Sequence, residues 1–182
     1  MTTLLTLGAG ALLADFIPTA TTAAELRSEV IDAIKHKVFA ETTGAGKFRA
    51  IPLVRNFHEA ARRTPAADAT LLDGWNVSLA SHFKRLQPNV LEKLLPWCQC
   101  NQVGDITTIS IPNATNGVET TPSLFWVGET SGGLALIELK NAAVTNGLTL
   151  TFIPGEGIPV PFELRAHADD LNAPFTIRFL EK

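Results

Sequence analysis

Few residues in this chain stand at the spacing that chemistry requires. Gly44-Ala45-Gly46-Lys47 has the outline of a phosphate loop, in which backbone N–H groups and a lysine cradle phosphates. Glu41, however, stands where the first glycine belongs, and Phe48 replaces the metal-binding hydroxyl. A turn over residues 42–46 is the better expectation. His58-Glu59 has the start of a zinc-protease motif, but position 62 is Arg rather than the second histidine. His36, His82 and His167 fall on separate predicted elements, and no Gly-x-Ser-x-Gly nucleophile elbow occurs. Asp169-Asp170 has no twelve-residue calcium loop around it and reads as a solvated turn. Cys98 and Cys100, one residue apart, are poorly spaced for a disulfide and make only half a zinc site, so both read as free thiols. Nothing here assembles a catalytic, cofactor-binding or metal site, and the expectation is a protein that is not an enzyme and carries no cofactor.

Two further groups are weighed as contact residues. Trp75, Trp97 and Trp126 each lie in or beside an apolar run, which favours core or interface packing over a stacking platform for sugars or bases. Arg62-Arg63 is a basic pair flanked by small residues, suited to solvent or to a carboxylate on a neighbouring subunit.

The elements that must position these residues are mostly strands. Residues 1–21 mix glycine with apolar residues and predict an N-terminal arm or edge strand. Thr22 with Glu25 has the form of a capping box, and Leu26, Val30, Ile34 and Val38 then recur every four residues, predicting a short amphipathic helix. Residues 47–54 predict a strand in which Pro52 marks an edge or a bulge. Residues 56–70 are small, charged and aperiodic, and predict a long loop. Trp75, Val77, Leu79, Ser81 and Phe83 alternate with polar or small residues as a half-buried strand does, and Pro88 then opens a short helix carrying Val90, Leu91, Leu94 and Leu95. Strands are expected over 106–111, 123–129, 134–141, 148–153, 160–168 and 175–180, separated by Asn, Gly, Ser and Pro turn signals. Such spacing predicts a mainly β, α+β chain: an antiparallel two-sheet β-sandwich with one or two short flanking helices.

Composition narrows the function classes. The chain has 182 residues, formal net charge −3 and only 18% charged residues, with mean hydropathy +0.16. That length suits a single domain over residues 1–182. There is no basic surplus for gripping phosphates, which disfavours tight sequence reading of nucleic acid. A monomer this apolar leaves hydrophobic surface uncovered, so burial between subunits is expected. The apolar stretch over residues 4–14 lacks a positive flank and is too short to cross a bilayer, so no membrane insertion and an intracellular origin are expected.

The order of several short motifs resembles tail tube proteins of tailed bacteriophages and related prophages. They are Leu124-Phe125-Trp126-Val127-Gly128-Glu129-Thr130-Ser131-Gly132-Gly133, Ile137-Glu138-Leu139-Lys140-Asn141-Ala142 and Phe162-Glu163-Leu164-Arg165-Ala166-His167-Ala168. Upstream, Thr6-Leu7-Gly8-Ala9-Gly10, the residues 42–48 and Gly74-Trp75-Asn76-Val77-Ser78-Leu79 fit the same pattern. A helix within residues 25–39 departs from it, as an insertion. The resemblance implies a virion structural protein assembled in the host bacterial cytoplasm, six copies forming a ring whose inner sheets join into a continuous β-barrel lumen. It further implies stacked rings that form a conduit for non-specific passage of double-stranded DNA, with sheath, tail terminator, baseplate and tape-measure proteins as partners.

Alternation then places candidate residues. Val160, Phe162, Leu164 and Ala166 must face the core, so Glu163, Arg165 and His167 face water or a subunit boundary, as does Glu138 between Ile137 and Leu139. If these strands line the channel, Glu138 and Glu163 make an acidic or mixed lumen surface; ion pairing with Arg165 or Lys140 between subunits is the other reading. Arg62 and Arg63 are expected in an inter-subunit or inter-ring loop. A capsid decoration or head-to-tail connector protein would share the β-rich sequence, and a β-sandwich glycan hydrolase or lectin is weakened by the lack of paired carboxylates in an aromatic cleft.

Overall fold

The computed structural model describes residues 3–56, 70–85, 87, 90–91, 95, 98–110, 121–131, 133–144, 160–167 and 173–180. Among these the chain order is β1 (Thr3–Ala14), α1 (Ala23–His36), β2 (Val38–Asn56), β3 (Thr70–Phe83), β4 (Gln99–Val103), β5 (Ile106–Ser110), β6 (Thr121–Thr130), β7 (Gly133–Val144), β8 (Val160–Ala166) and β9 (Phe175–Phe179). The chain is mainly β, as expected. Seven strands form one antiparallel sheet in the order β6-β1-β2-β3-β8-β7-β9, and a further β6–β7 pairing closes the first six into a barrel. The sheet closes on itself where a pair of stacked sheets was expected. β4 and β5 form a separate two-stranded ribbon.

The N-terminal residues are neither an arm nor an edge. β1 pairs with β2 from Thr3↔Ala50 to Leu13↔Val38 and with β6 from Leu7↔Thr130 to Ala14↔Leu124, so it is an interior strand of the barrel. Glycine is what permits this. A Cβ on Gly10 would sit 2.6 Å from the Trp126 ring and from the Val127 carbonyl oxygen, and one on Gly128 would lie 2.5 Å from the Ala9 oxygen. The glycines that blur the alternation of this segment are the ones that let Trp126 lie flat against the backbone.

Residues 42–46 likewise do not reverse the chain. β2 runs straight through them, and its register on β3 jumps between Thr43 and Lys47, which is a bulge. Gly46 approaches β3 so closely that a Cβ would be 2.8 Å from the Ala80 oxygen. Pro52 lies where β2 has passed the end of β1, and the register slips again after Leu53, in agreement with the edge or bulge expected there. Asn56 and Thr70 are the paired ends of the β2–β3 hairpin rather than loop residues. The rest of that loop, with Arg62 and Arg63, lies outside the described residues, as do residues 148–153, Trp97, His58-Glu59 and Asp169-Asp170.

Side chains fill the barrel. One interior row runs across the strands through Leu5, Phe48, Leu79, Leu164 and Val144, and another through Leu12, Trp126 and Ile137. Trp126 is fully buried, and its indole N–H donates to the equally buried Thr42 hydroxyl at 3.1 Å, across β1. Phe83 and Phe162 stack with centroids 4.0 Å apart. Of the helix expected after Pro88, Val90 and Leu91 are helical and residues 88–89 and 92–94, Leu94 among them, lie outside the described residues; Val90, Leu91 and Leu95 join this core, and the Leu95 N–H donates to the Leu91 carbonyl at 2.8 Å.

β7 departs from regular pleating at Asn141, whose φ of 47° is left-handed. Ile137 and Leu139 face the interior before it, and Ala142 and Val144 do so after it. The strand therefore continues beyond the expected end at 141. This break in the pleat divides the partners of β7: β9 pairs with Ala135–Leu139 and β8 with Ala142–Val144, end to end on the side opposite β6.

Candidate functional site

The barrel presents two unlike outer walls. On the first, α1 covers β1, β6 and β7. Thr22 caps the helix, its hydroxyl accepting from the Glu25 N–H while the Glu25 carboxylate accepts from the Thr22 N–H. Leu26, Val30 and Ala33 pack on Leu13, Phe125, Val127, Leu136 and Leu180. Ala33 takes the place expected for Ile34, which is exposed. Phe16 meets Phe125 edge-on at 5.2 Å. The connector into the helix is held by Glu29, which accepts from the Thr19 hydroxyl at 2.5 Å and from the Thr19 and Ala20 N–H groups. These bonds hold the Glu29 carboxyl below its ordinary pKa, the Thr19 hydroxyl first, and the Thr22 hydroxyl does the same for Glu25.

The second wall is the outer face of β2, β3 and β8, from which the α1 cluster takes only Val38, at the start of β2, among the described residues. Its side chains are set by register. Lys47, Ala80 and Glu163 form one cross-strand row, and Arg49, Ser78 and Arg165 the next. Lys47, Arg49 and Arg165 are exposed, and Glu163 is half-buried. The Arg165 Nε lies 3.3 Å from Glu163 Oε1. The expected alternation of β8 thus holds in full, with Val160, Phe162, Leu164 and Ala166 buried.

Glu138 and Glu163 are not brought together. Glu138 pairs across the sheet with Phe125, a residue under α1, so it lies on the helix-covered wall beside that cluster, where the Ser123 hydroxyl donates to it at 3.4 Å. In these two rows the bare wall carries Lys47, Arg49 and Arg165 against Glu163, and farther along β2 the exposed Glu41 pairs with Lys84 at 2.9 Å, so the surface is mixed in charge. Neither glutamate is in the barrel core.

His36, His82 and His167 occupy α1, β3 and the end of β8, and no group of three or more metal-ligating side chains occurs among the described residues. Neither Cys98 nor Cys100 is in a disulfide. Burial, and then the neighbouring Cys100, push the Cys98 thiol above its ordinary pKa, which disfavours the nucleophilic thiolate. Trp75 is half-buried and meets Phe175 edge-on at 5.6 Å, so Trp75 and Trp126 both pack.

Sequence reasoning missed the Trp126–Thr42 bond and the β4 strand, because neither has a period or motif to mark it. It also missed the separation of the two glutamates, which depends on where the helix docks. Comparison with protein-family models, curated proteins and solved structures finds no match.

Proposed function

We propose that this chain is a virion structural protein that polymerises as stacked hexameric rings into a phage tail tube, the conduit for genome delivery, and that it is not an enzyme. The observation that carries the reading is the difference between the two walls: a helix-covered one and a bare one of alternating outward polar residues. Six copies turn the bare walls of β2, β3 and β8 toward the axis and α1 outward. The interior of each barrel is packed with side chains, so a channel has to lie between subunits.

In this arrangement Glu163 and Arg165 belong to the lumen and Glu138 to the outside. The Glu163 carboxylate competes with DNA phosphate for Arg165, which limits the retention that an unpaired basic channel would cause. Arg62 and Arg63, in the segment between β2 and β3 in sequence, are proposed to contact the next ring. Leu53 and Val54 near that end are 48% and 55% exposed, which is apolar surface suited to burial by a neighbour. Sheath, tail terminator, baseplate and tape-measure proteins are the partners that such a tube requires, and the assembled virion tail is where it resides.

Electron microscopy of the purified protein at high concentration tests the reading. Long hollow rods with six-fold end views are the expected result. Trimers or isolated single rings favour a capsid decoration or connector protein instead, and a protein that stays monomeric contradicts both.

A further inference from the structure

Among the described strands, the β4–β5 ribbon is the one with the least burial. Its strands pair from Gln99↔Ser110 to Val103↔Ile106 around a turn at Gly104, whose φ is 62°. Every residue of β5, Ile-Thr-Thr-Ile-Ser, is exposed, and at the tip Val103 and Ile106 are 72% and 71% exposed. An isolated two-stranded hairpin is marginal in water. An uncharged, β-branched edge with no Pro, Lys or bulge is what folded proteins avoid leaving open. Such an edge calls for a strand to pair with.

We propose that β5 of one copy pairs antiparallel with the edge of β9 that faces away from β7 in the next copy. This deepens the ring reading given above and rests on it for the closure of the contact. β9 is the terminal strand of the seven-stranded sheet, bonded on one side to β7 and without a second strand partner among the described residues. It has five residues, as β5 has. Phe179 at its end is 47% exposed.

The antiparallel register that sets Ile106 opposite Phe179 extends the apolar pair Val103–Ile106 into a row of three. It sets Thr108 opposite Ile177 and Ile109 opposite Thr176. It also brings Asp105, at the turn, diagonal to Arg178. Each copy then has one donor edge and one acceptor edge, which makes the contact heterologous. A heterologous contact closes into a ring when its rotation allows.

Cysteine cross-linking tests this in the full chain with Cys98→Ser and Cys100→Ser in place. Ile109→Cys with Thr176→Cys is expected to give, on oxidation, a covalent ladder that ends at the hexamer. Mixing the two single-cysteine proteins is expected to give dimers only. Dimers from Ile109→Cys alone would mean that β5 pairs with β5, and would overturn the proposal. Ile106→Lys is expected to raise the concentration needed for assembly by about tenfold or more, because it puts a charge into the apolar row with Val103 and Phe179, with Tm unchanged. Rods that form without any β5–β9 cross-link overturn the ribbon contact and leave the tube reading standing. A cross-linked ladder in a protein that never stacks into rods supports the contact and removes the tube.

Discussion

The two walls of the barrel are built from the same backbone pattern and differ in what lies on top of them. On β8, apolar and polar residues alternate, so the strand has one dry and one wet side. On β6, Leu124, Phe125, Trp126 and Val127 are all buried, because Leu124 and Trp126 fill the barrel while Phe125 and Val127 lie under α1. A helix converts a two-sided strand into a wholly apolar one. Substitutions should therefore separate by wall: under the helix they act on folding, and on the bare wall they act on assembly.

The largest effect is expected under the helix. Phe125→Ala removes a buried ring that contacts both Phe16 and the α1 cluster, and a loss of about 3–5 kcal/mol is expected in denaturant unfolding. Loosening α1 by this route should leave the β8 amides protected in hydrogen exchange only if the barrel folds without its helix.

Trp126→Phe is expected to cost about 1–3 kcal/mol, because it strands the Thr42 hydroxyl inside the barrel. Adding Thr42→Val should recover part of that loss, since both polar groups are then gone. Chemical denaturation of the single and double variants reads the coupling directly.

Thr22→Ala removes the cap of α1 and is expected to cost about 1 kcal/mol. The acid side follows the same helix. Glu25 and Glu29 have pKa values lowered in the folded state by their threonine hydrogen bonds, so their stabilisation is complete above the unfolded carboxyl pKa. It is lost as pH falls through the lowered folded value. A pH series of thermal unfolding should show this loss, and Glu29→Gln should flatten it.

The smallest effect on stability is expected on the bare wall. Glu163→Gln breaks a solvent-facing ion pair with Arg165, and a change within about 1 kcal/mol is expected. Its effect should appear instead in how strongly assembled tubes retain DNA, which frees Arg165 to bind phosphate and should rise with falling salt.

Legibility followed the same division. The strand with one wet side, β8, was readable residue by residue, as was the start of α1, where Thr22 and Glu25 form a local motif. The inner face of α1 was read one residue off. A spacing of four overshoots one helical turn of 3.6 residues by roughly 40°, and the stripe from Leu26 and Val30 reaches Ala33 rather than Ile34. β1 was hidden because Gly8 and Gly10 interrupt its pattern while serving as the surface on which Trp126 and β6 pack. The glycines of 42–46 have the composition of a turn, yet close approach to β3 accounts for Gly46 equally well. β4, with Gln99, Asn101 and Gln102 among five residues, buries nothing fully and carries no period to read. The site itself was half legible: alternation gave the outward side of Glu163 and Glu138, but only the docking of α1 decides that they occupy different walls.

A cryo-EM reconstruction of the particle formed by the purified protein decides between these arrangements. Stacked six-fold rings with Glu163 and Arg165 facing the channel and α1 and Glu138 on the outside are expected. Rings with α1 lining the channel, or a protein that forms no ring at all, would contradict the proposed arrangement.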